Sequence, residues 1–508
     1  MPSAPWWRSA VVYQIYPLSF ADGSGDGVGD LRGVRARLDH LAWLGVDAVW
    51  LSPIFRSPMA DFGYDVADYC DVDPLFGSLA DLDAIVADAH ARGIRVLLDW
   101  VPNHTSDRHP WFVESRASRS SPRRGWYVWR DPAPDGGPPN NWTAAFGGPS
   151  PAWTLDRATG QYYLHTFLPA QPDLDWRNPD VVAAMHATLR FWLDRGIDGF
   201  RVDVVHGLGK DPALPDDPPE LVPIPHAALN DHESTHAILR ALRRVVDAYP
   251  GERVLVGEVY LLVGKTHASY YGRGDELHLV FELPAAVLTP WDAAEWRARI
   301  AHVAATLEPI GAWPTWVLSN HDTPRHRTRF GSEARARAAA VLLLALRGTP
   351  FLYAGEELGL EDAVVPLARA VDPGGRDGCR APIPWTPAPG HGWPAEPWLP
   401  FAPEPARRNV ETLRADPSSI LHLYRRLLAA RRASPALRAG DQTLRPAPDG
   451  VVAWERTAGT DRRTVLVNFT DRAVACAAAG TVEVASDGEG EGRPYAGTLA
   501  PDQAVVLR

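Results

Sequence analysis

Short apolar runs recur along most of the chain, with helically spaced stretches between them. Val11-Val12-Tyr13-Gln14-Ile15-Tyr16 is the first, and Asp47-Ala48-Val49-Trp50-Leu51 the second. Ser78 can then cap a helix that places Leu79, Leu82, Ile85, Val86 and Ala89 on one face. Gly93 stops that helix, and Ile94-Arg95-Val96-Leu97-Leu98-Asp99 follows as a third strand. Similar runs lie at Gly199 to Asp203, Arg253 to Glu258, Leu277 to Phe281, Thr315 to Ser319 and Pro350 to Tyr353. Eight strand-like runs alternating with helices predict an α/β fold of the (β/α)8 barrel type with large loops. A doubly wound open sheet is the competing architecture, but no glycine-rich dinucleotide turn follows the first strand.

Two stretches break this rhythm. Residues 104–173 have no β–α period and are rich in Trp, Pro, Gly and Arg, which predicts a loop subdomain inserted after the third strand. From residue 436 to 508 the pattern turns to short β runs such as Thr464 to Phe469, divided by Gly and Asp, which predicts a C-terminal antiparallel β domain. The barrel then occupies residues 1–103 and 174–435. The proline-rich stretches 211–225 and 382–405 read as barrel loops.

Composition narrows the function. The formal net charge is −11, and the arginines are scattered, so there is no basic tract for nucleic acid or anionic lipid. No apolar run is long enough to span a membrane. The first twenty residues read as a strand and not as a signal peptide. The three cysteines, Cys70, Cys379 and Cys476, are far apart, which predicts a reducing, cytoplasmic setting without disulfides or a thiolate metal site.

Barrel enzymes build their sites at the C-terminal ends of the strands. Asp99, Asp203 and Glu258 end three of the predicted strands, and Asp322 lies just past a fourth. A salt bridge or a helix cap explains any one of them. Four at four strand ends, accompanied by His104, Arg201, Asn320 and His321, point to a shared mouth. Two carboxylates facing each other there suit glycosidic cleavage, one attacking the anomeric carbon while the other protonates the leaving oxygen. Arg201 stands two positions before Asp203, hence on the same face of a strand, and is expected to keep Asp203 ionised as a nucleophile.

Four segments, Asp99-Trp100-Val101-Pro102-Asn103-His104, Gly199 to Asp203, Gly257-Glu258-Val259 and Ser319-Asn320-His321-Asp322, resemble in order the signature regions of the α-amylase family, glycoside hydrolase family 13. Gln171-Pro172-Asp173-Leu174-Asp175-Trp176 resembles a fifth region as it occurs in the α-glucosidase and oligo-1,6-glucosidase branch. Phe62 to Tyr69 and Arg376 to Pro382 also match that branch. The resemblance implies Asp203 as nucleophile, Glu258 as general acid/base and Asp322 as the carboxylate that holds the sugar hydroxyls. It implies His104 and His321 as hydrogen-bonding partners of the glucose, Tyr64 as a stacking platform, and Asp61 with Arg376 as the closure of the pocket. Arg380 competes with Arg376 for that last role. Phe146 and Phe167 are candidate walls.

Asp22-Gly23-Ser24-Gly25-Asp26-Gly27-Val28-Gly29-Asp30 alternates oxygen donors with glycines, as EF-hand-like calcium loops do. Side chains of Asp22, Ser24, Asp26 and Asp30 with the Val28 carbonyl are the expected ligands of one structural Ca²⁺ or Mg²⁺, and no organic cofactor is expected. The branch usually carries Asn where Ser24 stands. Val204 after the nucleophile is associated in this branch with α-1,6 acceptance. The expected partner is a small α-glucoside or oligosaccharide, cut from its end by a retaining enzyme, in a monomer or weak homo-oligomer. A glucosyl transferase or isomerase of the sucrose isomerase or trehalose synthase type uses the same residues. The family's non-enzymatic transporter heavy chains need an anchor and usually lose the carboxylates that are intact here.

Overall fold

The computed structural model describes residues 5–146, 150–261, 267–281 and 287–508. Eight strands form one parallel sheet: Val12–Ile15, Ala48–Leu51, Arg95–Trp100, Gly199–Val202, Val254–Gly257, Leu279–Val280, Thr315–Val317 and Thr349–Tyr353. Their order runs sixth, fifth, fourth, third, second, first, eighth, seventh. A parallel bridge between Phe281 and Thr315 joins the two ends, so the sheet closes into the barrel that the sequence predicts.

The strands read as unbroken apolar runs because both of their faces are buried. Val12, Ala48, Trp50, Leu97, Val254, Val256, Val317 and Phe351 pack together in one cluster. The alternating neighbours Val49, Leu51, Val96, Leu98 and Leu255 belong to a second, larger cluster shared with the surrounding helices. Helix Leu79–Ala91 starts at Ser78, whose hydroxyl accepts the Asp81 N–H while the Asp81 carboxylate accepts the Ser78 N–H, a complete capping box. One connection departs from the expected alternation: among the described residues, only the short 3-10 turn His267–Tyr271 lies between the fifth and sixth strands.

After the third strand the chain leaves the barrel and forms a three-stranded antiparallel sheet of Trp129–Arg130, Gln161–Leu164 and Trp153–Asp156. At the C-terminus, Asp441–Arg445, Val451–Ala458, Asp461–Asn468, Ala504–Leu507 and Val482–Ala485 pair in that order as an antiparallel sheet. A buried arginine of the sheet, Arg456, donates to the Ala345 carbonyl (2.7 Å) where helix Glu333–Ala345 ends, and Arg431 of the preceding helix Ile420–Ala433 donates to the carbonyls of Leu344 (2.9 Å) and Gly348 (2.6 Å).

The 22–30 loop folds back on its own amides. The Asp22 carboxylate accepts from the N–H groups of Gly25 (2.6 Å) and Gly27 (2.9 Å), and Asp26 from Val28 (2.9 Å). Asp30 accepts from Gly23 and Gly33 and caps helix Leu31–Ala36. The donors, carboxylates with a hydroxyl and a backbone carbonyl, are of the type that suits a hard cation. Among the described residues, no group of three His, Cys, Asp or Glu side chains is placed to hold a metal. No helix among them is long and apolar enough to cross a membrane, and Cys70, Cys379 and Cys476 are free thiols.

Candidate active site

At the C-terminal mouth of the barrel lies a cavity of ≈ 420 Å³. Its lining includes Asp61, Tyr64, His104, Phe146, Phe167, Asp203, Glu258, Asp322 and Arg376, each named from the sequence. Gln171, Val204, Tyr260 and Gly374 complete much of the wall. The strand ends account for the convergence. Asp203 follows the fourth strand and Glu258 the fifth, which pair in register from Gly199–Val254 to Val202–Gly257.

Arg201 lies between the carboxylates and does not line the cavity. Its Nη1 donates to Asp99 Oδ1 (2.8 Å) and Asp203 Oδ1 (2.5 Å), and its Nη2 lies 2.8 Å from Glu258 Oε2. The other Asp99 oxygen accepts from Tyr64 (3.0 Å) and Trp50 (3.3 Å). Three carboxylates therefore share one cation. Arg201 stands beside Asp203 as expected, and its charge is shared with Asp99 and Glu258. Burial pushes the Asp203 carboxyl well above its usual range; Arg201 opposes this, and Glu258 and Asp99 add to it. Burial raises Asp99 too, to about 6, against the pull of Arg201. Burial thus works against charge on Asp203 and Asp99, and the shared guanidinium works for it.

Val204 joins the two strand ends. It adopts the left-handed conformation (φ 43°), which is strained for a β-branched residue, and its N–H donates to Glu258 Oε2 (3.1 Å). The strain thus sits between Asp203 and the side chain it is expected to work with.

The far end of the cavity is closed by Arg376, which donates to Asp61 Oδ1 (2.6 Å), Asp322 Oδ1 (2.8 Å) and Asp372 Oδ1 (2.7 Å). Arg380 stands behind this wall. It is fully buried, bound to the His321 carbonyl (2.8 Å) and Asp372 (3.1 Å), with Asp322 3.4 Å away. Of the two arginines, Arg376 is the one that lines the cavity. Burial raises the Asp322 carboxyl, but the positive field of His321, Arg376, Arg380 and Arg201 more than reverses this and holds it well below the usual range. Because burial drives the His321 imidazole itself down to about 3, that ring is neutral near pH 7 and the arginines carry the effect.

His321 does not line the cavity. Gln14 Nε2 lies 2.8 Å from its Nδ1 and the Tyr64 hydroxyl 2.5 Å from its Nε2, so a neutral Nε2–H ring completes a chain from Gln14 through His321 and Tyr64 to Asp99. The Tyr64 ring stacks on His321 with an interplanar angle of 6°. His104, pushed down to about 4 by burial, packs against Phe167 and lies 3.1 Å from Gln171 Nε2. Phe167 in turn meets Phe146, over which the Arg376 guanidinium sits at 4.8 Å.

Sequence reasoning missed several supporting residues. Gln171 bridges His104 and Asp61, Asp372 anchors both arginines, and Lys210 pairs with Asp173 (3.0 Å) while donating to Asn103 (3.0 Å). Gln171 and Asp173 stood inside a recognised motif. Lys210, one of only two lysines, stood in the stretch that departs from the branch pattern.

Residues 14–440 match the alpha amylase catalytic domain. A protein named probable alpha-glucosidase from Rhizobium meliloti (strain 1021) is 44% identical over 512 residues, covering 93% of this chain and 91% of that protein. An oligo-1,6-glucosidase of Parageobacillus thermoglucosidasius is 36% identical, over 92% of this chain and 91% of its own. The solved structure of an alpha-glucosyl transfer enzyme superposes with a TM-score of 0.92 at 42% identity, with both chains fully covered. The chain belongs to the alpha-amylase family of glycoside hydrolases.

Proposed function

We propose that the protein is a retaining, exo-acting α-glucosidase that releases terminal α-linked glucose from short oligosaccharides or glucosides. The observation that carries this is the sharing of Arg201 by Asp203 and Glu258 in a cavity closed at one end by Asp61 and Arg376. Two carboxylates on one guanidinium favour the close spacing of retaining enzymes, about 5–5.5 Å, over the about 6.5–9.5 Å of inverting ones. The end wall favours a short chain terminus over the middle of a polymer.

In this reading Asp203 attacks the anomeric carbon while Glu258 passes its proton to the departing oxygen. Glu258 then takes a proton from water, which attacks the same carbon and frees Asp203. Asp322, kept ionised by its arginines, accepts hydrogen bonds from the sugar hydroxyls. Tyr64 and His104 hold the ring from the side, and Arg376 with Asp61 binds its far edge. His321 acts by orienting Tyr64. Both α-1,4 and α-1,6 linkages fit this scheme, and Val204 inclines it to α-1,6.

Transfer of glucose to an acceptor other than water is the second reading, supported by the likeness to the alpha-glucosyl transfer enzyme. Product analysis with maltose, isomaltose, sucrose and trehalose at low and high concentration separates the two. Free glucose from maltose or isomaltose at low concentration supports hydrolysis, and new disaccharides in its place would overturn it.

Three further expectations belong to this proposal. The free thiols support a cytoplasmic setting. The same reading takes the protein as a monomer or weak homo-oligomer. The all-oxygen donor set of the 22–30 loop supports a structural Ca²⁺ or Mg²⁺, which takes no part in the steps above.

A further inference from the structure

Away from the mouth, helices Pro179–Asp194 and Ser234–Asp247 pack against each other on the outside of the barrel. Between them is a cavity of ≈ 260 Å³, lined by His186 and Arg190 from one helix, Ala241, Arg244 and Val245 from the other, and Tyr249 beyond. It shares no residue with the mouth cavity, and no carboxylate lines it.

Its donors are unspent. Among the described residues, neither the Arg190 nor the Arg244 guanidinium has a hydrogen-bond or ion-pair partner, and His186 Nε2 is shielded from solvent without one. The nearby acids are committed elsewhere. Asp194 receives the Tyr249 hydroxyl (2.8 Å), and Asp247 pairs with Arg243 (2.8 Å). Burial, and then the positive fields of Arg190 and Arg244, depress the His186 imidazole, so both arginines bear on the same ring. In a chain with a formal net charge of −11, two guanidinium groups facing one volume without an acid form a local excess of positive charge.

We propose that this cavity binds a small dianionic oxyanion such as phosphate, held between Arg190 and Arg244. Planar guanidinium groups bind such oxyanions bidentately, and one from each helix forms a clamp. His186 supplies a further donor from the side, and Ala241 leaves the room.

The test uses the full chain with inorganic phosphate, against chloride at matched ionic strength. Thermal unfolding and calorimetric titration are run on the wild type and on the Arg190→Gln/Arg244→Gln double variant. Saturating phosphate is expected to raise the wild-type Tm by about 1–2 °C and to give a one-site heat. Both signals are expected to vanish in the double variant, whose Tm in chloride is unchanged because both side chains are exposed. If the double variant is less stable in chloride, Arg190→Gln alone, with weakened phosphate binding, takes its place. A phosphate shift equal in wild type and variant, or none beyond chloride, overturns the proposal.

Discussion

Arg376 donates to Asp61 at 2.6 Å, a contact that joins segments 315 residues apart into the end wall of the cavity. Asp61→Asn keeps the shape of that wall and removes its charge, while Arg376 retains Asp322 and Asp372. The expected result is a loss of about 10²-fold in kcat/KM on maltose or isomaltose, about 2.7 kcal/mol of transition-state binding, with little change in Tm. Steady-state kinetics and a melting curve check this, and unchanged kcat/KM would show that the charge of this wall does not bind the substrate.

Arg201 supports three carboxylates with one planar group. Arg201→Lys places a compact ammonium there that cannot reach all three. The variant is expected to lose activity by at least about 10²-fold and to melt lower, because breaking buried pairs of this kind costs on the order of 3–5 kcal/mol. Near wild-type kinetics and Tm in the lysine variant would show that the shared guanidinium is dispensable.

Glu356, just past the eighth strand, is fully buried near His326 and Ser319, and burial raises its carboxyl from 4.5 to about 8. Between those values the folded protein holds a proton that the unfolded chain has released, so stability falls as pH rises through this window and levels off above it. Glu356→Gln is neutral throughout. Its Tm advantage over wild type is expected to grow from pH 5 to pH 8, and melting curves across that range check it; a difference independent of pH would contradict the assignment.

The cation proposed for the 22–30 loop has a separate consequence. Adding a chelator is expected to lower the wild-type Tm and added Ca²⁺ to restore it, while Asp22→Ala is expected to abolish the difference. Equal melting with and without Ca²⁺ in the wild type would leave the loop held by its amides alone.

The barrel strands were legible because residues such as Val49 and Trp50 are buried on opposite faces, which leaves an unbroken apolar signature. The strand-end acids Asp203 and Glu258 were legible for a related reason, since each directly follows such a run. The hairpin formed by Trp153–Asp156 and Gln161–Leu164 was not, because its Trp153, Tyr162 and Leu164 pack a small satellite cluster within a glycine- and proline-rich segment. The partition of Arg201 among three acids, the pairing of Lys210 with Asp173 and the place of Arg380 behind Arg376 all depend on contacts between distant segments. Local pattern carries no record of such contacts. The cation loop is the opposite case: its sequence pattern is clear, yet its carboxylates are occupied by backbone amides.

If Asp203 and Glu258 work as a retaining pair, the configuration of the first glucose released is fixed. Proton NMR of the first glucose released from maltose or isomaltose, recorded before mutarotation, tests it most directly. The expected initial product is α-glucose, the outcome of two successive inversions at the anomeric carbon. Initial release of β-glucose would contradict it.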